Sequence, residues 1–113
     1  MASISNEELL TKLRSLASNN FPKFQNQLPL EEQVYVLKTN EGLSVVIKFS
    51  RNGISVQEGE FTNPISTLTM SSSDLNLMLS GQLDAVKAFL AGKIKIQGDV
   101  FKTMALNNLL KGV

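Results

Sequence analysis

Lys87-Ala88-Phe89-Leu90-Ala91-Gly92-Lys93-Ile94-Lys95-Ile96-Gln97-Gly98-Asp99 changes its period twice within thirteen residues. Up to Ala91 it reads as the body of a short helix over Ala85 to Ala91, capped by Asp84, burying Val86, Phe89 and Leu90 and stopped by Gly92. Lys93 to Gln97 then alternates strictly, with Ile94 and Ile96 on one face, which is the pattern of a strand. Gly98 turns the chain, and Asp99 caps a last helix carrying Val100, Phe101, Met104, Ala105, Leu106, Leu109 and Leu110.

Upstream, Ser71-Ser72-Ser73-Asp74 is a capping pattern followed by Leu75, Leu77, Met78 and Leu79 before Gly81, hence another short helix. Before it lie Gln33 to Lys38 and Leu43 to Phe49, two β-branched and aromatic runs parted by the turn cluster Thr39-Asn40-Glu41-Gly42, which predict a hairpin. Arg51-Asn52-Gly53 supplies a second turn, and Ile54, Val56 and Glu58 alternate with polar residues in a third strand, giving a β-meander. Pro64 precedes a weaker fourth strand, Ile65 to Met70. At the front, Ser5-Asn6-Glu7-Glu8 is a capping box. Leu9, Leu10, Leu13, Leu16 and Ala17 follow on one face of an amphipathic helix of about four turns, which Asn19-Asn20 and Phe21-Pro22 are expected to end. The predicted order is one helix, four strands, two short helices, one strand and one helix.

A chain of 113 residues fits one domain over residues 1–113, with a single core. It has no Cys and no His, which removes thiol nucleophiles, thiolate metal sites, disulfides and the commonest general base. The closest acid pairs, Glu7/Glu8, Glu31/Glu32 and Glu58/Glu60, are explained by a helix start, a connection and a strand end. No nucleophile with a base is apparent, so no catalytic residue, metal site or cofactor is expected and the chain is read as a non-enzyme. The seven glycines form no phosphate-cradling motif, and Tyr35 and Phe49 do not alternate with basic residues, so nucleic acid is not an expected partner. Net charge is only +1, yet it is unevenly spread. From Lys87 onward five Lys face one Asp, whereas the first 86 residues hold six cations and nine acids. Such asymmetry suits either an anion-facing end or ordinary solvated lysines. No apolar run reaches the roughly 20 residues of a membrane span, and the first twenty residues do not read as a secretory leader. The expected compartment is the cytoplasm.

Residues 73–99, with Met104-Ala105-Leu106 behind them, resemble the sterol carrier protein 2 family. There an acidic helix start leads to Leu-x-x-Gly-Lys-Leu, then Ala-Phe-x-x-Gly-Lys-Leu-Lys-x-x-Gly-Asp/Asn, then a final helix. The match is close over residues 73–110, while the preceding helix and strands agree in type and length. Two departures stand out: Ala85 replaces a frequent Pro, and Lys111-Gly112-Val113 is not the Ser-Lys-Leu type of peroxisomal address. The resemblance implies an α/β (α+β) fold in which helices cover one face of a five-stranded sheet. It also implies a hydrophobic tunnel between the two layers for sterols, fatty acids, fatty-acyl-CoA or phospholipid. On that basis Leu75, Met78, Leu79, Phe89, Leu90, Phe101, Met104 and Leu109 are expected to line the tunnel, and Lys93, Lys95 or Lys102 to attract an anionic headgroup. The competing expectation is a non-catalytic interaction or dimerisation module with a filled core. For the leucine face of Leu9 to Ala17, packing on the sheet is expected ahead of transient docking on a membrane surface.

Overall fold

A computed structural model describes residues 4–111. The elements are α1 (Asn6–Phe24), β1 (Gln33–Thr39), β2 (Ser44–Ser50), β3 (Gly53–Glu58), β4 (Ser66–Met70), α2 (Ser72–Leu79), α3 (Ala85–Leu90), β5 (Lys95–Gly98) and α4 (Val100–Leu110). The element order is the one read from the sequence.

α1 starts as expected, with the Ser5 hydroxyl accepting from the Glu8 amide at 3.1 Å and the Glu8 carboxylate reaching back to the Ser5 amide. Its end is a correction. The helix continues through Asn19, Asn20 and Pro22 to Phe24 and then tightens into a 3₁₀ turn over Gln25–Gln27. Pro22 removes one intrahelical donor, but the carbonyl it orphans belongs to exposed Ser18, where water can take it. Tertiary packing supplies the rest: Phe21 and Phe24 lie against the core. Asn20, almost wholly buried, donates from Nδ2 to the carbonyls of Leu109 (2.9 Å) and Lys111 (3.2 Å), satisfying the open C-terminal end of α4. What reads as a helix breaker locally is a cap for another helix.

The five strands form one sheet in the order β3-β2-β1-β4-β5. β1, β2 and β3 make the antiparallel meander, β5 pairs antiparallel with β4, and β4 pairs parallel with β1, Tyr35 opposite Ser66 and Leu37 opposite Leu68. The core face carries Tyr35, Leu37, Val45, Ile47, Phe49, Val56, Leu68 and Met70, all buried, with the Tyr35 and Phe49 rings stacked at 5.4 Å. α1 lays Leu9, Leu10, Leu13 and Ala17 on this face, and its Arg14 Nε donates to the Val56 carbonyl at 3.0 Å. The leucine face of α1 is therefore consumed by the sheet and is not free for a bilayer.

Parallel pairing of β4 with β1 has a topological cost. β3 ends beside β2 at the level of Val45, and the chain must reach the far side of β1 at the level of Tyr35. Residues 59–65 make this passage across the sheet face opposite the helices, held by the Lys38–Glu60 ion pair (3.4 Å) and by Lys48 lying 5.3 Å from the Phe61 ring centre. Val36 and Val46, which register pairs on that face, are buried as well. Helices cover one face, as expected from the sequence; a strap crosses the other.

Gly98 closes β5 beside the start of β4. Its φ is +122°, and a Cβ there would stand 2.3 Å from the Ile65 carbonyl oxygen and 2.8 Å from the Ser66 Cα, both backbone atoms that cannot swing aside. Gly98→Ala is expected to destabilise the fold by about 2–4 kcal/mol, combining backbone strain with a steric clash. Urea denaturation followed by circular dichroism checks this, and a loss under about 0.5 kcal/mol, the scale of a neutral surface change, would contradict the geometry.

Candidate lipid-binding cavity

The second helical layer is built at the β5 end of the sheet. The Ser71 hydroxyl accepts from the Asp74 amide to start α2, and Glu41, in the β1–β2 turn, accepts from the Ser72 amide at 2.7 Å. That bond holds the Glu41 carboxyl below its ordinary range. α3 is capped by Asp84, whose carboxylate accepts from the Lys87 and Val86 amides; these bonds, led by that of Lys87, keep it below the usual carboxylate range. α4 is capped by Asp99 accepting from Lys102, and Thr103 donates back to the Asp99 carbonyl at 2.6 Å.

Two contacts pin the beginning of α4 to the sheet. The Tyr35 hydroxyl donates to the Lys102 carbonyl at 3.0 Å, and Ser66 and Thr103 share a hydrogen bond between buried hydroxyls. Burial, followed by the nearby Asp99 charge, pushes the Tyr35 phenol up to about 12.

Between these layers lies a small apolar cavity. Its walls are Leu37 of β1, Leu68 of β4, Ile94 and Ile96 at β5, Met78 of α2, Ala85 of α3, and Thr103, Met104, Leu106, Asn107 and Leu110 of α4. The volume is about 20 Å³. That is room for about one water molecule, so this is a seam in the packing and not a ready lipid-sized space.

Of the residues expected to line a tunnel, Met78 and Met104 border this cavity. Leu75, Leu79 and Leu109 are fully buried in the core around it, and Phe89 is half-buried. Leu90 and Phe101 instead project into solvent, 77% and 91% exposed, and so does Val86 at 46%. α3 turns Ala88 inward, with Ala85 and Phe89 against the core, and leaves Val86 and Leu90 outside. The sequence reading missed Leu37, Leu68, Ile94, Ile96, Ala85, Thr103, Leu106, Asn107 and Leu110 as cavity walls. Strand alternation marks Leu37, Leu68 and the two isoleucines as core, but nothing local says that a void lies beside them.

The three lysines do not converge. Lys95 shares its sheet face with Thr69 and Lys38, away from the helices, and Lys93 lies in the turn before β5. Lys102 is at the other end of β5, where it borders an open cleft of about 480 Å³ with Pro29, Leu30, Glu31, Glu32, Gln33, Arg51 and Ile65. Among the described residues no three acidic side chains cluster as a metal site would require, and no helix is long and apolar enough to cross a membrane.

The chain belongs to the SCP-2 sterol transfer family, whose model matches residues 10–111. No protein with a curated description matches it. Among solved structures, palmitated SCP2L2 from Aedes aegypti is 20% identical, with 96% of this chain and 95% of that one covered at a TM-score of 0.64. Sterol Carrier Protein-2 from Aedes aegypti in complex with the C16 fatty acid palmitate is 16% identical over 95% and 96% of the two chains, TM-score 0.66. The sec-alkylsulfatase Pisa1 from Pseudomonas sp. is 14% identical, TM-score 0.66, and the match takes 79% of this chain but only 14% of that enzyme. These likenesses establish the α+β fold.

The raised Tyr35 pKa makes stability depend on alkaline pH. A phenol that ionises near 10 in the unfolded chain and near 12 when folded favours the folded state below pH 10, and that contribution is lost as pH rises from 10 through 12. The urea midpoint of the wild type is therefore expected to fall more steeply over this window than that of Tyr35→Phe. Parallel slopes in the two proteins would show that the phenol is not held by its surroundings.

Proposed function

We propose that residues 1–113 form one non-catalytic domain that binds and transfers lipids, namely sterols, fatty acids, fatty-acyl-CoA or phospholipid, in an apolar space between sheet and helices. The observation that carries this reading is the position of the cavity. Its walls come from α2, α3, α4 and the β4–β5 end of the sheet and include two flexible methionines, in a family whose Aedes aegypti member holds palmitate on the same fold. Each methylene taken out of water contributes about 0.8 kcal/mol, so a long acyl chain needs no hydrogen bond to bind.

A small-molecule pocket is commonly about 300–1,000 Å³, which means that the layers must part for a lipid to enter. α3 is the element suited to move. It is six residues long, packs lightly on its neighbours, and is flanked by Gly81 and Gly92, whose φ values of +77° and +79° mark turns outside the helix. In this reading Leu75, Met78, Leu79, Phe89, Met104 and Leu109 bound the opened space, and Leu90 and Phe101 join it only if α3 and α4 turn inward. Lys102, beside the open cleft with Arg51, is the best placed of the lysines to meet an anionic headgroup.

The small cavity volume favours one second reading, an interaction or dimerisation module with a filled core. Native mass spectrometry with added palmitate separates the two, since a lipid bound at one per chain supports the carrier. Met104→Trp then tests the site. The larger ring fills the seam, and palmitate affinity is expected to fall at least about tenfold in a protein that loses no more than about 3 kcal/mol of stability. Unchanged affinity in the folded variant would sink the assignment of the cavity.

A further inference from the structure

The two outer strands of the sheet are finished differently. At β3 the Val56 carbonyl points outward and is taken by the Arg14 guanidinium of α1 at 3.0 Å. β5 has no such cover. The Asn40 amide donates to the Met70 carbonyl, so Met70 and, by alternation, Leu68 and Ser66 direct their backbone groups to β1. Thr67 and Thr69 direct theirs to β5, where they stand opposite Gln97 and Lys95. Ile96, between those two, turns its amide and carbonyl out of the sheet, and among the described residues neither has a partner. Such an edge is a template for a further strand. The two most exposed large apolar side chains flank it. Leu90 lies five residues before Lys95, at one end of β5, and Phe101 three residues after Gly98, at the other.

Alternation and charge decide which strand fits. A second copy related by a two-fold axis through Ile96 lets the two Ile96 residues exchange N–H···O=C bonds. In that register Lys95 stands opposite Gln97 of the second copy, and Lys93, just before the strand, opposite Asp99, just after it. The lysine-bearing start of each β5 meets the acid-bearing end of the other, and the Leu90 end of one copy meets the Phe101 end of its mate. An axis at Lys95 would set two lysines against each other, an unfavourable pair. An axis at Gln97 would rely on Gly98, whose φ of +122° takes it out of strand geometry.

We propose that the chain forms a symmetric homodimer by antiparallel pairing of β5 with β5 of a second copy. The two sheets become one continuous sheet, and Leu90 and Phe101 of opposite copies pack over the joint. The inference goes beyond the lipid-carrier reading and does not rest on it, because Leu90 and Phe101 are not among the cavity walls and Ile96 pairs through its backbone.

Sedimentation equilibrium of the full chain tests this, with a species of twice the 12.4 kDa of one chain expected as concentration rises. The exposed-site variants L90Q and F101Q, checked for wild-type circular dichroism, should each dimerise at least about tenfold more weakly. Because the chain has no cysteine, K95C and Q97C report the register directly. Residues opposite one another between hydrogen-bonded pairs have Cα atoms about 4.5 Å apart, within disulfide reach. An equal mixture of the two variants should oxidise to a cross-linked dimer, and neither variant should do so comparably on its own. A chain still monomeric at about 1 mM would overturn the proposal and leave the edge to a strand of a different protein. Undiminished dimerisation by folded L90Q and F101Q would overturn it too, as would a mixture that cross-links no better than K95C or Q97C alone.

Discussion

β1 is the strand on which everything else is hung. Both of its edges are hydrogen-bonded, antiparallel to β2 and parallel to β4, and its core-facing Tyr35 and Leu37 are wholly buried. An isolated meander would leave the second edge of β1 open, an invitation to pair with other chains. Filling it from within requires β4 to arrive parallel, and a parallel partner cannot be joined by a tight turn. The strap over residues 59–65 follows from that requirement. So does the place of α4, since Ser66 of β4 and Tyr35 of β1 supply the hydroxyls that hold its first turn.

Stability and lipid carriage make opposite demands on the helical layer. The α1 side is finished: its leucines are buried, its polar anchors Arg14 and Asn20 reach β3 and the end of α4, and it leaves little to rearrange. The α3 side is not. It combines a six-residue helix, positive-φ glycines at either flank, exposed Val86 and Leu90, and the apolar seam. Segments with few buried contacts are those that open at low free-energy cost. Under the proposed lipid-carrier reading, rigidity sits on the α1 side and the yielding element on the α3 side.

Much of this was legible beforehand. The four Ser/Asp-headed helix starts, the Thr39-Asn40-Glu41-Gly42 turn and the alternation of Ile94 and Ile96 are local patterns, and each produced the element it announces. Asn20 misled because its local meaning was outweighed by contacts about ninety residues away, with the end of α4, and Pro22 because the carbonyl it orphans faces water. Leu90 and Phe101 misled for another reason. A helical period tells which residues share a face, but not which face turns inward: α3 turned Ala85, Ala88 and Phe89 to the core and left Leu90 in water, as α4 left Phe101.

The sequence by itself determined the elements, their order and the family, because capping boxes, turn residues and two periodicities act over a few residues and do not depend on what lies opposite. Only the tertiary structure decided that β4 runs parallel to β1, that residues 59–65 cross the second face, and that the cavity is walled by Leu37, Leu68, Ile96 and Met104 together. It also decided that Lys102 stands apart from Lys93 and Lys95 and that Leu90 and Phe101 face water. These are matters of which faces meet and how fully they fill the space between them. A hydrophobic side chain carries no record of whether its neighbour will be another side chain, a void or solvent.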